Sequence, residues 1–426
     1  MTSRRGRCDP AVPPRQPRRP RPPRHRSSRP SPAPIPPPSL PRSRPPPTRT
    51  RRSPLCEVGS VNRALVVTVV HHPEDARIRK REIEALLTAG WQVTYAAPFT
   101  GYGIEQVAAP GLTTVDLPRA QGRRRLKAIR AARALLRDRA VDADVVLLHD
   151  PELLLSTRGL KLPPVVWDVH EDTAAAVGMK PWLPTWLARP AAACIRGVEK
   201  YAERRVHLML AEEGYRSRFT GTHPVVPNTT VVPPQATPPD EPRVVYVGHL
   251  TGPRGAAELI ATGALLHERT SGRIRLQLVG PADTASAALL ADAPEGVEWL
   301  GFRPYGEAMA VLDGALAGLS LLHDQPNYRV SLPTKVAEYL AHGVPAITTA
   351  LPAAAALVEG AAAGVVIPFQ DDRADPATVV DAVLHLDAHP EERRAMGARG
   401  HAYAREHLDW TRLSKDFVDY LDSLVG

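Results

Sequence analysis

The stretch best suited to binding a charged ligand lies at positions 331–349 and reads S-L-P-T-K-V-A-E-Y-L-A-H-G-V-P-A-I-T-T. Proline is tolerated in a first helical turn and Gly343 fits a left-handed C-terminal position, so the stretch predicts a helix of about ten residues and then a buried strand. Lys335 and Glu338 share one face near the start of that helix, where backbone N–H groups and the helix dipole favour an anion. This geometry suits a phosphorylated ligand, although the two residues taken alone favour an exposed ion pair.

Histidine and carboxylate side chains follow three predicted strands in the first half of the chain. The apolar runs at 64–70, 145–148 and 165–167 each end at such residues. The carboxyl ends of parallel strands line the ligand crevice of an open sheet, so we expect these side chains to meet there, on the side of a sugar or an acceptor. For the two histidines at 71 and 72, a structural role fits equally well. The side chains concerned are His71, His72, Asp75, His149, Asp150, His170 and Glu171.

Two patterns in the first half invite a metal interpretation, and neither supports it. The histidines and carboxylates at 149–150 and 170–172 are chain neighbours at two strand ends rather than ligands spaced along one face. The D-x-D pattern at 142–144 stands at the amino end of a predicted strand, away from the crevice, and predicts a surface turn. The sequence therefore predicts no metal site and no cofactor.

Strands and helices alternate in two arrays. One array occupies 61–238 and a second occupies 239–408, with a Pro-rich linker at 232–242 between them. We expect the last helix, within 409–426, to pack back across the domain boundary. Within the arrays the apolar runs predict strands at 64–70, 225–228 and 319–322 and a helix at 305–315. The fold expected is α/β, with two Rossmann-like domains and a cleft between them.

A nicotinamide dinucleotide site is not expected, because no G-x-G-x-x-G follows the first strand. Few cysteines and no apolar run long enough to span a membrane fit a cytoplasmic protein that is soluble or at most peripheral. A basic helix is predicted at 119–139, with Leu126, Ile129 and Leu135 facing inward. The segment 180–205 mixes tryptophans with basic residues, which fits either peripheral contact with the inner face of the cell membrane or packing on the sheet.

Residues 1–60 differ in composition from the rest of the chain. They hold 15 arginines and two acids, a net charge of +13, whereas all 426 residues carry +9, so the other 366 residues are mildly acidic at −4. The Arg- and Pro-rich composition predicts disorder. Three interpretations compete: a basic arm, a passive tail, or residues ahead of the true start of translation, which we favour, with Val58 or Val61 as the alternative start. Nucleic-acid binding would rest on this tail alone and is not expected.

Ordered motifs in both halves resemble one known family. The second half contains V-Y-V-G-H-L-T-G-P-R-G at 245–255, G-F at 301–302 and S-L-P-T-K-V-A-E-Y-L-A-H-G-V-P at 331–345. The first half contains D-A-R-I at 75–78, H-D-P-E-L-L at 149–154, D-V-H-E at 168–171 and V-P-N at 226–228. Over about 61–424 the chain resembles the retaining glycosyltransferases of family four, which implies the GT-B fold and a nucleotide-sugar donor.

The resemblance implies roles for individual residues. Arg254 stands where the family places a basic residue on the donor pyrophosphate, and Lys335 would also contact phosphate. Glu338 is similar to the glutamate that accepts hydrogen bonds from the ribose. His170 matches the histidine that faces the sugar and the acceptor, which makes it the implied catalytic residue. The implied donor-binding set is Gly248, His249, Arg254, Gly255, Ser331, Thr334, Lys335 and Glu338.

Two positions depart from the family pattern. His249 stands where an arginine often occurs, and Val330 stands at the first glutamate of E-x7-E, so contacts to the transferred sugar must differ. We predict a metal-independent retaining glycosyltransferase that moves a hexose-type sugar to a hydroxyl of a saccharide, a lipid-linked acceptor or a small molecule. Two other functions stay open: a sugar-nucleotide epimerase of the same fold, and a nucleotide-sugar-binding partner without catalysis.

Overall fold

Two six-stranded parallel sheets organise the computed structural model, which describes residues 61–170 and 185–425. The strands of the first sheet are Arg63–Val67 (β1), Gln92–Ala97 (β2), Leu112–Asp116 (β3), Val145–Leu148 (β4), Val165–Val169 (β5) and His207–Leu210 (β6). Those of the second sheet are Glu241–Val247 (β7), Arg275–Val279 (β8), Val297–Gly301 (β9), Ala315–Ser320 (β10), Ala346–Thr349 (β11) and Gly364–Ile367 (β12).

Both sheets have the same strand order. The first runs β3-β2-β1-β4-β5-β6 and the second runs β9-β8-β7-β10-β11-β12, with every pairing parallel. In each sheet the order reverses beside its first strand, between β1 and β4 and between β7 and β10. Ligands of open α/β sheets bind at such a point, outside the carboxyl ends of the strands. Each half of the molecule therefore has one crevice.

Helices cover both sheets. In the first half they are Glu84–Thr88 (α1), which continues the π-helical turn Ile78–Ile83, then Phe99–Tyr102 (α2), Arg125–Arg139 (α3), Leu154–Thr157 (α4) and Thr185–Glu203 (α5). In the second half they are Ala256–Thr270 (α6), Thr284–Ala291 (α7), Tyr305–Ala310 (α8), Thr334–Ala341 (α9), Pro352–Gly360 (α10), Pro376–Ala388 (α11), Pro390–His407 (α12) and Trp410–Val425 (α13). No described helix is long and apolar enough to cross a bilayer.

The last helix, α13, packs on the first half of the molecule. Trp410, Phe417 and Leu421 are buried in the same apolar cluster as Ile78 and Ile83. The Trp410 indole N–H also donates to the carbonyl of Arg81 at 3.2 Å. The C-terminal helix thus covers the face of the first sheet on which the π-helical turn lies.

Several predicted elements differ from the structure. The strand expected at 64–70 ends at Val67, because the N–H groups of Val69 and Val70 donate to the Asp150 carboxylate instead of a neighbouring strand. The segment 225–228 pairs through one isolated bridge at Val225. The strand expected at 319–322 is β10, which starts four residues earlier, and the helix expected at 305–315 is α8, which ends at Ala310. Helix α7 was not predicted.

The inward face predicted for the basic helix α3 is also wrong in part. Leu135 is buried, but Leu126 is 66% exposed, and the buried positions are Ala128, Ala132 and Leu136. These positions follow the i, i+4, i+8 spacing of one helical face, on which Leu126 does not lie.

Candidate active site

The ammonium group of Lys335 lies inside the second half of the molecule. It sits 4.0 Å from the ring centroid of Tyr246, and a Cβ added to Gly248 would lie 3.4 Å from the nitrogen. Burial, together with the positive charge of Arg254, holds the pKa of Lys335 well below its usual range, while Glu338 acts in the opposite direction. Within residues 61–170 and 185–425 no carboxylate forms a salt bridge with this ammonium. The exposed Lys–Glu pair is therefore not what the structure contains.

Arg254 brings a second positive charge to the same place. It ends the turn Gly252–Arg254, and Gly255 follows with φ of +81° at the start of α6. A Cβ on Gly255 would lie 2.2 Å from the carbonyl oxygen of Leu321, so the turn requires glycine. Partial burial and the charge of Arg254 lower the pKa of His249, which therefore adds no permanent charge.

Glu338 lies one turn along α9 from Lys335 and is buried. Burial raises the pKa of its carboxyl, and the positive charges of Arg81 and Lys335 partly oppose that effect. Arg81 belongs to the first half of the molecule, so the charge that acts on Glu338 comes from both halves. Thr334 is the first residue of α9, and Ser331 precedes it; both are half-buried.

Asp168, within β5, is the centre of a buried polar cluster in the first half. Its two oxygens accept hydrogen bonds from Arg77 at 2.8 and 2.7 Å, and Oδ2 also lies 3.1 Å from Nδ1 of His170. Burial by itself would raise the pKa of this carboxyl, but the charge of Arg77 and the hydrogen bonds from His149 and His170 outweigh it and hold the pKa well below its usual range. Asp168 is therefore ionised and acts only as an acceptor.

His149 and Glu82 continue this cluster into the core. Nδ1 of His149 lies 3.3 Å from Oδ2 of Asp168, and its Nε2 lies 3.4 Å from Oε2 of Glu82. Burial lowers the pKa of His149, whereas burial and the charge of Asp168 raise the pKa of Glu82 well above its usual range. The other oxygen of Glu82, Oε1, lies 3.0 Å from Nε of Arg77, whose charge partly opposes the rise in the pKa of Glu82. The lowered pKa of His149 favours a neutral imidazole whose Nδ1 faces Asp168 and whose Nε2 faces Glu82.

His170 and His71 meet at the mouth of this cluster. Their Nε2 atoms are 2.9 Å apart, and Nε2 of His71 is also 3.3 Å from Oδ1 of Asp150. The other oxygen of Asp150 accepts from the hydroxyl of Thr68 and from the backbone that follows β1. The predicted meeting of histidines and carboxylates at the strand ends is thus present.

The remaining predicted residues have different surroundings. His149 and Asp150 are buried, so direct contact with a substrate, as predicted, does not fit them; they support His170 and His71 from behind. Asp75 accepts from the N–H groups of Arg77 and Ile78 and so holds the start of the π-helical turn. Glu171 lies outside the described residues.

His72 faces the other half of the molecule. Its ring lies 4.8 Å from that of Tyr102, and 5.9 Å from that of Phe302 in the second half, which is 58% exposed. Glu212 and Leu332 make another contact between the halves, since a carboxylate oxygen of Glu212 accepts from the Leu332 N–H at 3.3 Å. Burial raises the pKa of Glu212 to about 7. The stretch just before α9 is therefore held against the first half.

Three functional side chains were missed in the sequence: Arg81, Glu82 and Glu212. All three are charged residues next to other charged residues, a pattern that usually indicates a solvated surface. The only available signal was Arg77 within the D-A-R-I motif, which lies one helical turn from the first two. Their burial depends on partners far away in the sequence.

A divalent cation does not fit the cluster around Asp168. Ligand atoms of His149, Asp168 and His170 lie within 4.8 Å of one another, which is close enough to consider a metal. Both oxygens of Asp168 already accept from Arg77, and that guanidinium would repel a cation at the same place. The cluster is better described as an internal ion-pair network.

The second half matches a known family. Residues 241–388 match the family model described as Glycosyl transferases group 1. This part of the chain therefore carries a glycosyltransferase group 1 domain, and it contains Lys335, Glu338 and the turn with Arg254. No curated protein matches the chain.

Solved glycosyltransferase structures share the fold of the chain. Sucrose-phosphate synthase from Thermosynechococcus elongatus has 18% identity and a TM-score of 0.68, over 86% of this chain and 99% of that one. WaaG, a glycosyltransferase involved in lipopolysaccharide biosynthesis, has 14% identity and a TM-score of 0.63, over 84% and 99%. Anabaena HepE in complex with UDP-glucose has 13% identity and a TM-score of 0.61, over 85% and 99%. The predicted GT-B architecture is confirmed.

The opposite pKa shifts of Glu82 and Asp168 predict losses of different size for two similar variants. Glu82→Gln keeps the shape of a carboxyl whose ionisation is disfavoured by burial, so we expect a loss of less than about 1.5 kcal/mol in the free energy of unfolding. Asp168→Asn removes the ionised carboxylate that pairs with the buried Arg77 and leaves this guanidinium one salt-bridge partner among the described residues, Glu82, 3.0 Å from its Nε, so we expect a loss of about 3–5 kcal/mol. Urea unfolding near neutral pH measures both, and equal losses would contradict this difference between the two carboxyls.

Proposed function

We propose that the protein is a retaining glycosyltransferase that transfers a hexose-type sugar from a nucleotide sugar to a hydroxyl acceptor without a metal. The observation that carries this proposal is the desolvated ammonium of Lys335, which lies near a second cation, Arg254, and has no carboxylate partner among the described residues. A buried cation is unfavourable unless an anion joins it. A diphosphate supplies that anion.

The same arrangement suits the chemistry of the reaction. As the glycosidic bond to the leaving group breaks, negative charge develops on the nucleoside diphosphate, and fixed cations lower the energy of that state. Lys335, Arg254 and the N-terminus of α9 provide fixed positive charge in the second half. In the proposed complex Glu338 accepts from the ribose hydroxyls, and His170 faces the sugar and the acceptor across the cleft.

The nucleotide of the donor is open to direct test. A UDP-sugar is the first candidate because HepE, which shares the fold, was crystallised with UDP-glucose. Neither half of the molecule identifies the class of acceptor. A saccharide, a lipid-linked acceptor and a small molecule can each provide the hydroxyl nucleophile. A cytoplasmic location stays a prediction from the sequence.

Donor binding should stabilise the protein measurably. At a donor concentration about a hundred times Kd, the gain is about 2.7 kcal/mol, which raises Tm by a few degrees. We expect this with one of UDP-, GDP-, ADP- or dTDP-sugars, and we expect Lys335→Ala and Glu338→Ala to remove it. Differential scanning fluorimetry of the full chain measures the shift.

Two controls separate the alternatives. Lys415→Ala removes an exposed lysine of α13 and should leave the shift unchanged. His170→Ala should keep the shift and lose turnover, whereas a donor-dependent shift in a wild-type protein that turns over no donor would favour a binding partner without catalysis. Epimerised sugar without any acceptor would point to the epimerase. No shift with any donor, in a protein that melts cooperatively, would contradict the proposal.

Proton uptake on binding is a second consequence of the buried lysine. The pKa of Lys335 is low in the free protein and should rise once a diphosphate lies beside the ammonium. Between those two pKa values binding takes up a proton, so affinity is highest below the pKa of the free protein and falls as pH rises through that of the complex. Titration calorimetry over a pH series, in buffers of different ionisation enthalpy at each pH, measures the uptake, and heats that are identical in all buffers at every pH would contradict it.

Helix α5 is the proposed site of peripheral membrane contact, within the segment 180–205. Trp186 is 74% exposed, and exposed Arg189, Arg196 and Lys200 lie on the same helix. Such a surface fits anionic lipid headgroups. We expect the full chain to float with anionic vesicles and not with neutral ones, and Trp186→Ala to weaken flotation, whereas Trp299→Ala in the second half should not. If Trp186→Ala floats with anionic vesicles as well as wild type does, helix α5 is not the site of membrane contact.

A further inference from the structure

The contact between His71 and His170 fixes where their protons are. Two imidazole Nε2 atoms at 2.9 Å form a hydrogen bond only if one of them carries a hydrogen and the other does not. The rings are tilted by 57° with centroids 4.5 Å apart, so they are not simply stacked. Which ring donates depends on the neighbours of each.

Asp168 determines which ring nitrogen of His170 carries the hydrogen. This carboxylate is ionised and accepts from Arg77, so Nδ1 of His170, at 3.1 Å, must be the donor. A neutral imidazole with a hydrogen on Nδ1 has a lone pair on Nε2. His170 therefore accepts at Nε2, and the hydrogen between the two rings belongs to His71.

Asp150 holds His71 in the donor role. Its Oδ1 lies 3.3 Å from the same Nε2 of His71, and a carboxylate oxygen cannot donate to it. Oδ2 of Asp150 is anchored by Thr68 and by the N–H groups of Val69 and Val70. The Nε2–H of His71 thus has two acceptors within reach, Oδ1 of Asp150 and Nε2 of His170.

We propose that His71 occupies, in the free protein, the place of a substrate hydroxyl at Nε2 of His170, whose acceptor role is set by Asp168. The substrate hydroxyl rests on the proposed function. A hydroxyl that donates to Nε2 of His170 displaces His71, whose N–H then turns to Asp150. The exchange replaces one neutral hydrogen bond by another, so admitting the hydroxyl needs no change of charge at the site.

Nitrogen NMR of the histidine rings tests the proton positions without any substrate. In the neutral imidazoles, identified by recording spectra over a pH series, we expect the Nδ1–H tautomer for His170 and the Nε2–H tautomer for His71. His71→Gln and His170→Gln assign the signals, and His385→Gln, at an exposed histidine of α11, is the control that should leave the signals of His71 and His170 unchanged. An Nε2–H tautomer for His170 in wild type would overturn the proposal.

Kinetics test the displacement once a donor is known. His71→Ala removes the internal donor that competes with the substrate hydroxyl, so we expect KM for the substrate that bears this hydroxyl to fall by up to about tenfold, the equivalent of one hydrogen bond, with little change in kcat. His71→Gln keeps a side-chain N–H donor and should keep most of the wild-type KM. An unchanged KM for both donor and acceptor in His71→Ala would overturn the displacement. The two tests separate the failures: correct tautomers in a protein that turns over no donor refute the proposed function alone, and wrong tautomers in an active enzyme refute this inference alone.

Discussion

A carboxylate enclosed in the core, that of Asp168, constrains most of the first half of the molecule. An ion in such a place must be paired, and Arg77 pairs it through two hydrogen bonds. The same guanidinium lies 3.0 Å from Oε1 of Glu82, but burial and the charge of Asp168 still raise the pKa of Glu82, and burial lowers that of His149, which lies between the two carboxyls. The Asp168 carboxylate orients His170. Because it accepts from Nδ1–H of that ring, it also sets which ring nitrogen carries the hydrogen.

In the second half of the molecule the charged groups brought together inside the fold are positive. Lys335 and Arg254 place two positive charges close together, and the protein supplies no carboxylate from its described residues to pair with Lys335. Two glycines make this possible: Gly248 has a φ of +137° that favours glycine and packs against the end of the Lys335 side chain, and a Cβ at Gly255 would collide with the carbonyl of Leu321. The first half is thus internally neutralised around its buried charge, whereas the second is left to be neutralised by a ligand.

The contacts between the halves lie next to both groups of residues. His72 reaches Phe302, Glu212 accepts from the N–H of Leu332, and the charge of Arg81 acts on Glu338. Each contact joins a residue of the first half to one of the second, so the elements that carry the two groups of residues meet at these points.

The sequence by itself determined the two arrays of strands and helices, the ends of the strands that carry histidines and carboxylates, and the motif around Lys335. These features are local, since apolar runs, turn glycines and short motifs are read within a few residues. Burial and pairing were decided only by the tertiary structure. Arg77 and Asp168 are 91 positions apart, and the charged stretch that contains Arg81 and Glu82 looks like a solvated surface until the strands and α13 cover it. Long-range packing sets the local dielectric, and the local dielectric sets which of these groups carries a charge.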